Sequence, residues 1–241
     1  EVRLLAVDGV RQSSPPLLPV EWVAQEDGAE DRTVMRTPLP VAIPAGGSVT
    51  VGVKFTAVLP PAFRRSGAGG EGYLHAVQWF PKLGVFEARD GETGWNCLPY
   101  HYLTEFYADY GSYWVDLTLP DAYLADGDPC GHCGLRLHPV GASGSLMAEP
   151  ENHGDGTATW RFRADDVHDF AWTVDPEFLV FHQIFRAKEE PWTRPAEEAR
   201  VAAALGRTVE ETRPSQEVEM ILLLQPEHEE YGEEYFDALG N

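Results

Sequence analysis

Tyr113-Trp114-Val115-Asp116-Leu117-Thr118-Leu119-Pro120 alternates, with apolar residues at Tyr113, Val115, Leu117 and Leu119, and that alternation decides the fold class. A period of two is what a strand with one buried face imposes. Ala158, Trp160 and Phe162 alternate with Thr159, Arg161 and Arg163 after the turn signal His153-Gly154-Asp155-Gly156. Val49, Val51, Val53 and Phe55 alternate with Thr50, Gly52, Lys54 and Thr56 after Pro44-Ala45-Gly46-Gly47, and they are expected to line a buried face. Further strands are predicted from Phe178 to Phe185 and from Val218 to Leu224. The expected fold is mainly β, with twisted antiparallel sheets in a saddle-like or sandwich arrangement and few short helices.

Two helices are predicted. Pro195 to Leu205 carries Glu197 and Glu198 in its first turn and Gly206 just past its end. Pro226 to Leu239 has proline at a first helical position and a strongly acidic start. From Arg186 to Ser215 prolines and charges mark a linker or insertion. The expected division is residues 1–190 as a β domain, 191–215 as a linker with a short helix, and 216–241 as the first strand and helix of a further domain.

At 241 residues and 43% hydrophobic content, the chain can bury a sizeable core. Lys and Arg number 18 against 39 Asp and Glu, a net charge of -21 that repels phosphate backbones and argues against nucleic acid and anionic membrane surfaces. No run approaches the about 18 apolar residues that a membrane helix needs. Three cysteines do not make a disulfide framework, which favours a reducing compartment and leaves localisation open.

A second stretch carries the functional expectation. Tyr73-Leu74-His75-Ala76-Val77-Gln78-Trp79-Phe80-Pro81-Lys82-Leu83-Gly84-Val85-Phe86-Glu87 crowds apolar bulk, an amide and a proline into a segment too irregular for a plain amphipathic element, so it reads as a fixed wall. Gly94-Trp95-Asn96, then Glu105-Phe106-Tyr107-Ala108-Asp109-Tyr110-Gly111, then Asp165-Asp166-Val167-His168-Asp169-Phe170-Ala171-Trp172 follow in order. Together these segments resemble the amino-terminal domain of the gluzincin zinc aminopeptidases, the family of membrane alanyl aminopeptidase and leukotriene hydrolase, in its bacterial branch. The resemblance covers residues 31–182 and resumes at 218–228, where it looks like the opening of the family's catalytic domain.

The resemblance implies a non-catalytic domain that supports a catalytic domain of the same polypeptide and walls a cleft in which a peptide's amino end is held. It also implies zinc in the larger enzyme, bound by H-E-x-x-H on a helix with glutamate as general base, and no cofactor in this chain. None of His75, His101, His132, His138, His153, His168, His182 and His228 begins that motif, and further strands are expected ahead of Glu1. Gln78 and Trp79 are implied in the cleft wall, where an amide can hydrogen-bond a substrate amine; a buried glutamine serving a neighbouring backbone group is the plainer alternative. His168, Asp169, Phe170 and Trp172 are implied at a domain junction. His168 and Asp169 are adjacent on an extended chain and face opposite ways, which argues against a catalytic dyad.

Cys130-Gly131-His132-Cys133 matches the motif of disulfide isomerases, yet it lacks the strand-to-helix entry that activates the first thiol. A soft-metal clip of Cys130, Cys133 and His132 or His138 lacks an evident fourth ligand. A loop with free thiols is the default. His101 and Glu105 carry no motif beyond themselves. Trp79, Trp95, Trp160 and Trp172 sit in apolar patterns that predict interior positions, not the flat exposed row of a sugar-binding face. A free-standing β-sandwich binding or adhesion module remains the alternative function.

Overall fold

The computed structural model describes residues 1–23, 32–62, 64–70, 72–89, 91–97, 106–124, 135–186, 195–212 and 217–239. The chain is mainly β with antiparallel sheets and short helices, as the alternation predicts. It divides into two units, one of residues 1–68, 75–113 and 164–171, the other of residues 69–74, 114–163 and 172–241.

In the first unit a three-stranded sheet runs Val10–Arg11, Val2–Val7, Val49–Val53. Asp8 and Gly9 both hold positive φ (46° and 76°), so they make the mirror-image turn whose twist suits a two-residue hairpin. Val2, Leu4 and Leu18 are buried, with Val49 packed against them. The expected apolar row is only partly covered. Val51 and Val53 lie opposite Leu4 and Val2 in the register, yet they and Phe55 are exposed. Their strand is an outer one of the three described, so its side chains lack a neighbour on one side.

Hairpin Val85–Arg89 with Glu92–Asn96 is a separate two-stranded sheet of the first unit. Its register sets Phe86 directly opposite Trp95, their rings 5.1 Å apart and edge to face. Both are more than half exposed, at 57% and 61%, which corrects the interior position expected of Trp95. A hairpin with no third described strand buries one face at most, and Val85 takes that face.

The Gly111–Pro120 and Thr157–Val167 strands, of which residues 114–120 and 157–163 belong to the second unit, keep their period of two apart from Thr159, which is buried. Leu117, Leu119, Ala158, Trp160 and Phe162 point into the core, whereas Trp114, Asp116, Arg161 and Arg163 do not. Ser145–Leu146 and Glu151–Asn152 both pair with Thr157–Val167. Tyr123 closes the end of this core by donating its hydroxyl to Gly72 O at 2.6 Å, and Gly72 holds φ +127°, which favours glycine. Val140–Ala142 pairs antiparallel with Trp172–Val174 in the same unit.

Leu179–Arg186 pairs along its whole length with Glu217–Leu224, the strand expected to open a further domain. The helix Pro195–Leu205 ends as predicted, with Gly206 at φ +63° and Arg207 N–H donating to Ala202 O at 2.9 Å. The last predicted helix begins as a 3-10 segment, Pro226–Tyr231, and continues as α-helix Gly232–Leu239. No helix of the described residues is long and apolar enough to cross a membrane.

One glycine tests how closely the chain packs in the first unit, where residues 60–62 meet residues 67–68. Ala62 N–H donates to Ala68 O and Ala68 N–H to Pro60 O, both at 2.8 Å, and a Cβ on Gly67 would overlap the Ala62 backbone. Gly67→Ala is expected to cost about 1–3 kcal/mol in a urea titration. Gly94→Ala, which meets nothing within 4 Å, is expected to stay within about 0.5 kcal/mol of the parent. Equal midpoints for the two variants would contradict this packing.

Candidate functional site

The Tyr73–Ala76 strand ends two residues before Gln78, and there the backbone turns sharply. Gln78 holds φ +53°, a left-handed conformation that costs a side-chain-bearing residue about 1–2 kcal/mol. Neighbours over-determine it. Ser66 grips the preceding residue at both polar groups: its Oγ accepts from Val77 N–H at 2.9 Å and donates to Val77 O.

Asp169 supplies the main anchor. Gln78 Nε2–H donates to Asp169 Oδ2 at 2.7 Å, and Phe170 N–H donates to Oδ1 of the same carboxylate at 2.8 Å. Trp79 Nε1–H donates to Phe170 O at 3.0 Å. Two consecutive residues of one segment thus bind two consecutive residues of another, 91 positions on. Lys82 Nζ lies 3.3 Å from Asp169 Oδ2, an ion pair by distance though outside hydrogen-bond geometry. Their side chains are only 12% and 17% exposed, so solvent screens the pair weakly.

Aromatic rings enclose these polar groups. Trp79 meets Phe55 and Phe80 at 6.2 and 5.1 Å, Phe80 meets Tyr113 at 5.9 Å, and Tyr113 meets Phe170 at 6.1 Å. The Lys82 ammonium stands 5.9 Å from the centre of the Phe106 ring, within cation–π range. Burial, and then the nearby Asp169 carboxylate, push the Tyr113 phenol above its ordinary range, so it stays protonated well past neutrality.

The structure therefore brings Gln78 and Trp79 together with Asp169 and Phe170. His168 goes elsewhere, its ring 5.9 Å from Tyr110, and Trp172 lies in the second unit, in register with Ala142. Lys82 is the residue that sequence reasoning missed. A lysine in the apolar run Phe80-Pro81-Lys82-Leu83-Gly84-Val85 was the available signal, since a charge so placed is buried only with a partner.

Cys130, His132, Cys133, His101 and Glu105 lie outside the described residues. His138, the other imidazole named for a metal clip, is buried in the second unit against the Trp160 ring, centroids 6.1 Å apart and edge to face. Its Nε2 is 3.5 Å from Glu149 Oε2, while Glu149 Oε1 accepts from Arg136 N–H at 2.7 Å. Among the described residues no three potential ligand side chains converge as a metal site requires.

Adjacent strand residues point to opposite faces, so Glu87 and Asn96 lie on the face of the hairpin away from the exposed pair Phe86 and Trp95. Asn96 Nδ2–H and Tyr107 O–H donate to the two oxygens of Glu87 at 2.6 and 2.9 Å, and these bonds hold the Glu87 carboxyl below its usual range. No protein-family model, curated protein or solved structure matches the chain.

Removing one member of a buried ion pair strands the other, whereas removing both does not. Lys82→Met and Asp169→Asn are each expected to lose about 3 kcal/mol. The double variant is expected to lose clearly less than their sum in urea unfolding. Strict additivity would contradict the pairing.

Proposed function

We propose that the chain is the non-catalytic β portion of a zinc aminopeptidase, supporting the catalytic domain of the same polypeptide and walling one side of the cleft that admits a peptide's free amino end. The observation that carries this reading is the strained Gln78 turn, pinned by Ser66, Asp169 and Lys82 and followed by an anchored Trp79. Left-handed conformations of side-chain-bearing residues persist only where surroundings over-determine them, and they concentrate at ligand clamps. Such a wall excludes internal peptide segments by shape and leaves a hydrogen-bonding amide at the closed end.

In this proposal zinc belongs to the catalytic domain, as the resemblance to the aminopeptidases implies. It supplies polarisation of the scissile carbonyl when bound. This chain's own contribution is to position and exclude. His168, Asp169, Phe170 and Trp172 serve the domain junction.

A binding module is the second reading, and the Phe86–Trp95 pair favours it. Two paired rings, each more than half exposed, suit contact with another surface.

The native polypeptide, captured from its source cells with an antibody against this chain, is expected to hydrolyse aminoacyl amides, to stop with a chelator and to resume with zinc. The 241-residue chain alone is expected to release no product. An inactive native polypeptide overturns the first reading, and chelator-sensitive activity in the isolated chain overturns the division of labour.

A further inference from the structure

We propose that the outward face of residues 114–118 and 159–163, on two neighbouring strands of the second unit, is a binding surface for an uncharged oligosaccharide. Trp114, Asp116 and Thr118 on one strand meet Arg163, Arg161 and Thr159 on the other, and the pairs step by two in opposite directions, as an antiparallel register requires. The Arg163 guanidinium stands 5.3 Å from the centre of the Trp114 ring. Arg161 Nη2–H donates to Glu151 Oε2 at 2.6 Å, and its Nε is 3.7 Å from Asp116 Oδ2. Thr159 Oγ1 lies 2.8 Å from both Thr118 Oγ1 and His153 Nε2, which is why this threonine is buried on a face otherwise open to solvent.

The ligand class follows from what stands on this face and what does not. Trp114 is 69% exposed, although tryptophan is on average well buried, and its flat ring can stack against the C–H face of a sugar. Apart from that ring, every side chain that the two segments turn outward is polar. A protein interface gathers an apolar centre inside a polar rim, so one ring among polar groups suits a polyhydroxylated ligand instead. The charges close on themselves: Asp116 and Glu151 balance Arg161 and Arg163, which makes the surface neutral within a chain of net charge -21 and gives an ionic ligand nothing to gain. The hydrogen bond from Arg161 holds the Glu151 carboxyl below its usual range, so the balance persists at neutral pH. A guanidinium beside a carboxylate offers a donor and an acceptor to adjacent hydroxyls, and their mutual contacts fix both before a ligand arrives. Four residues of strand carry the face from Trp114 to Thr118, about 13 Å, which is room for a short oligosaccharide and not merely a single ring. This surface shares no residue with the Gln78 turn, so it stands or falls separately from the peptidase reading.

A printed array of neutral, sialylated and sulfated oligosaccharides tests the ligand class on the 241-residue chain, and binding is expected among the neutral members. The strongest of these is then titrated into chain labelled with nitrogen-15 at tryptophan. The assigned Trp114 indole N–H signal is expected to move, while that of the fully buried Trp160 stays in place. Trp114→Ala is expected to weaken binding at least about tenfold and Arg161→Ala about threefold or more, whereas Val58→Ala, an exposed apolar change in the first unit, leaves the affinity unchanged. Strongest binding to sialylated or sulfated members overturns the proposal, as does a Trp114→Ala chain that binds like the parent. So does a Trp114 signal that stays still with every neutral oligosaccharide up to about 5 mM, a result that needs no variant to fold. A protein partner lost on Trp114→Ala, with no sugar bound by the parent, overturns it equally.

Discussion

A single carboxylate, that of Asp169, holds the first unit's most unusual turn in place. Its Oδ2 meets both the Gln78 amide and the Lys82 ammonium, its Oδ1 the Phe170 N–H, and the neighbouring Phe170 ring packs against Tyr113. Placing a carboxylate and an ammonium there carries a desolvation cost that only mutual contact and hydrogen bonds can offset. The returns are geometric more than energetic. A segment that would relax to ordinary backbone stays at φ +53°, with Trp79 and Phe80 on fixed bearings.

The strands were legible because a period of two survives wherever one face is buried. Tyr113 to Leu119 and Ala158 to Phe162 show it, and both settle as strands with the apolar set inward, though Thr159 is buried as well. Gly206 marked its helix end for a local reason, the left-handed cap. Legibility failed where burial depends on neighbours distant in sequence. Val51 and Trp95 carry the same apolar signal as Leu117 and Trp160, yet one sits on an outer strand and the other on a hairpin with a single covered face.

The candidate site was half legible. Gln78 and Trp79 stood out as polar groups in an apolar wall, and Asp169 and Phe170 as a second polar break among aromatics. Nothing local told that the two breaks meet, because the partners are 91 residues apart and hydrogen bonds between such segments leave no periodic trace. Lys82 was passed over for the same reason. Its charge gains meaning only from the carboxylate it faces.

The account's central claim is that this wall serves a larger enzyme, and the size of the native polypeptide tests it most directly. An antibody raised against the chain, used on a denaturing blot of the source cells, is predicted to detect a band far above 26.7 kDa, large enough to hold a peptidase domain. A single band at 26.7 kDa would contradict the account and turn attention to the exposed Phe86 and Trp95 as the surface of a stand-alone binding protein.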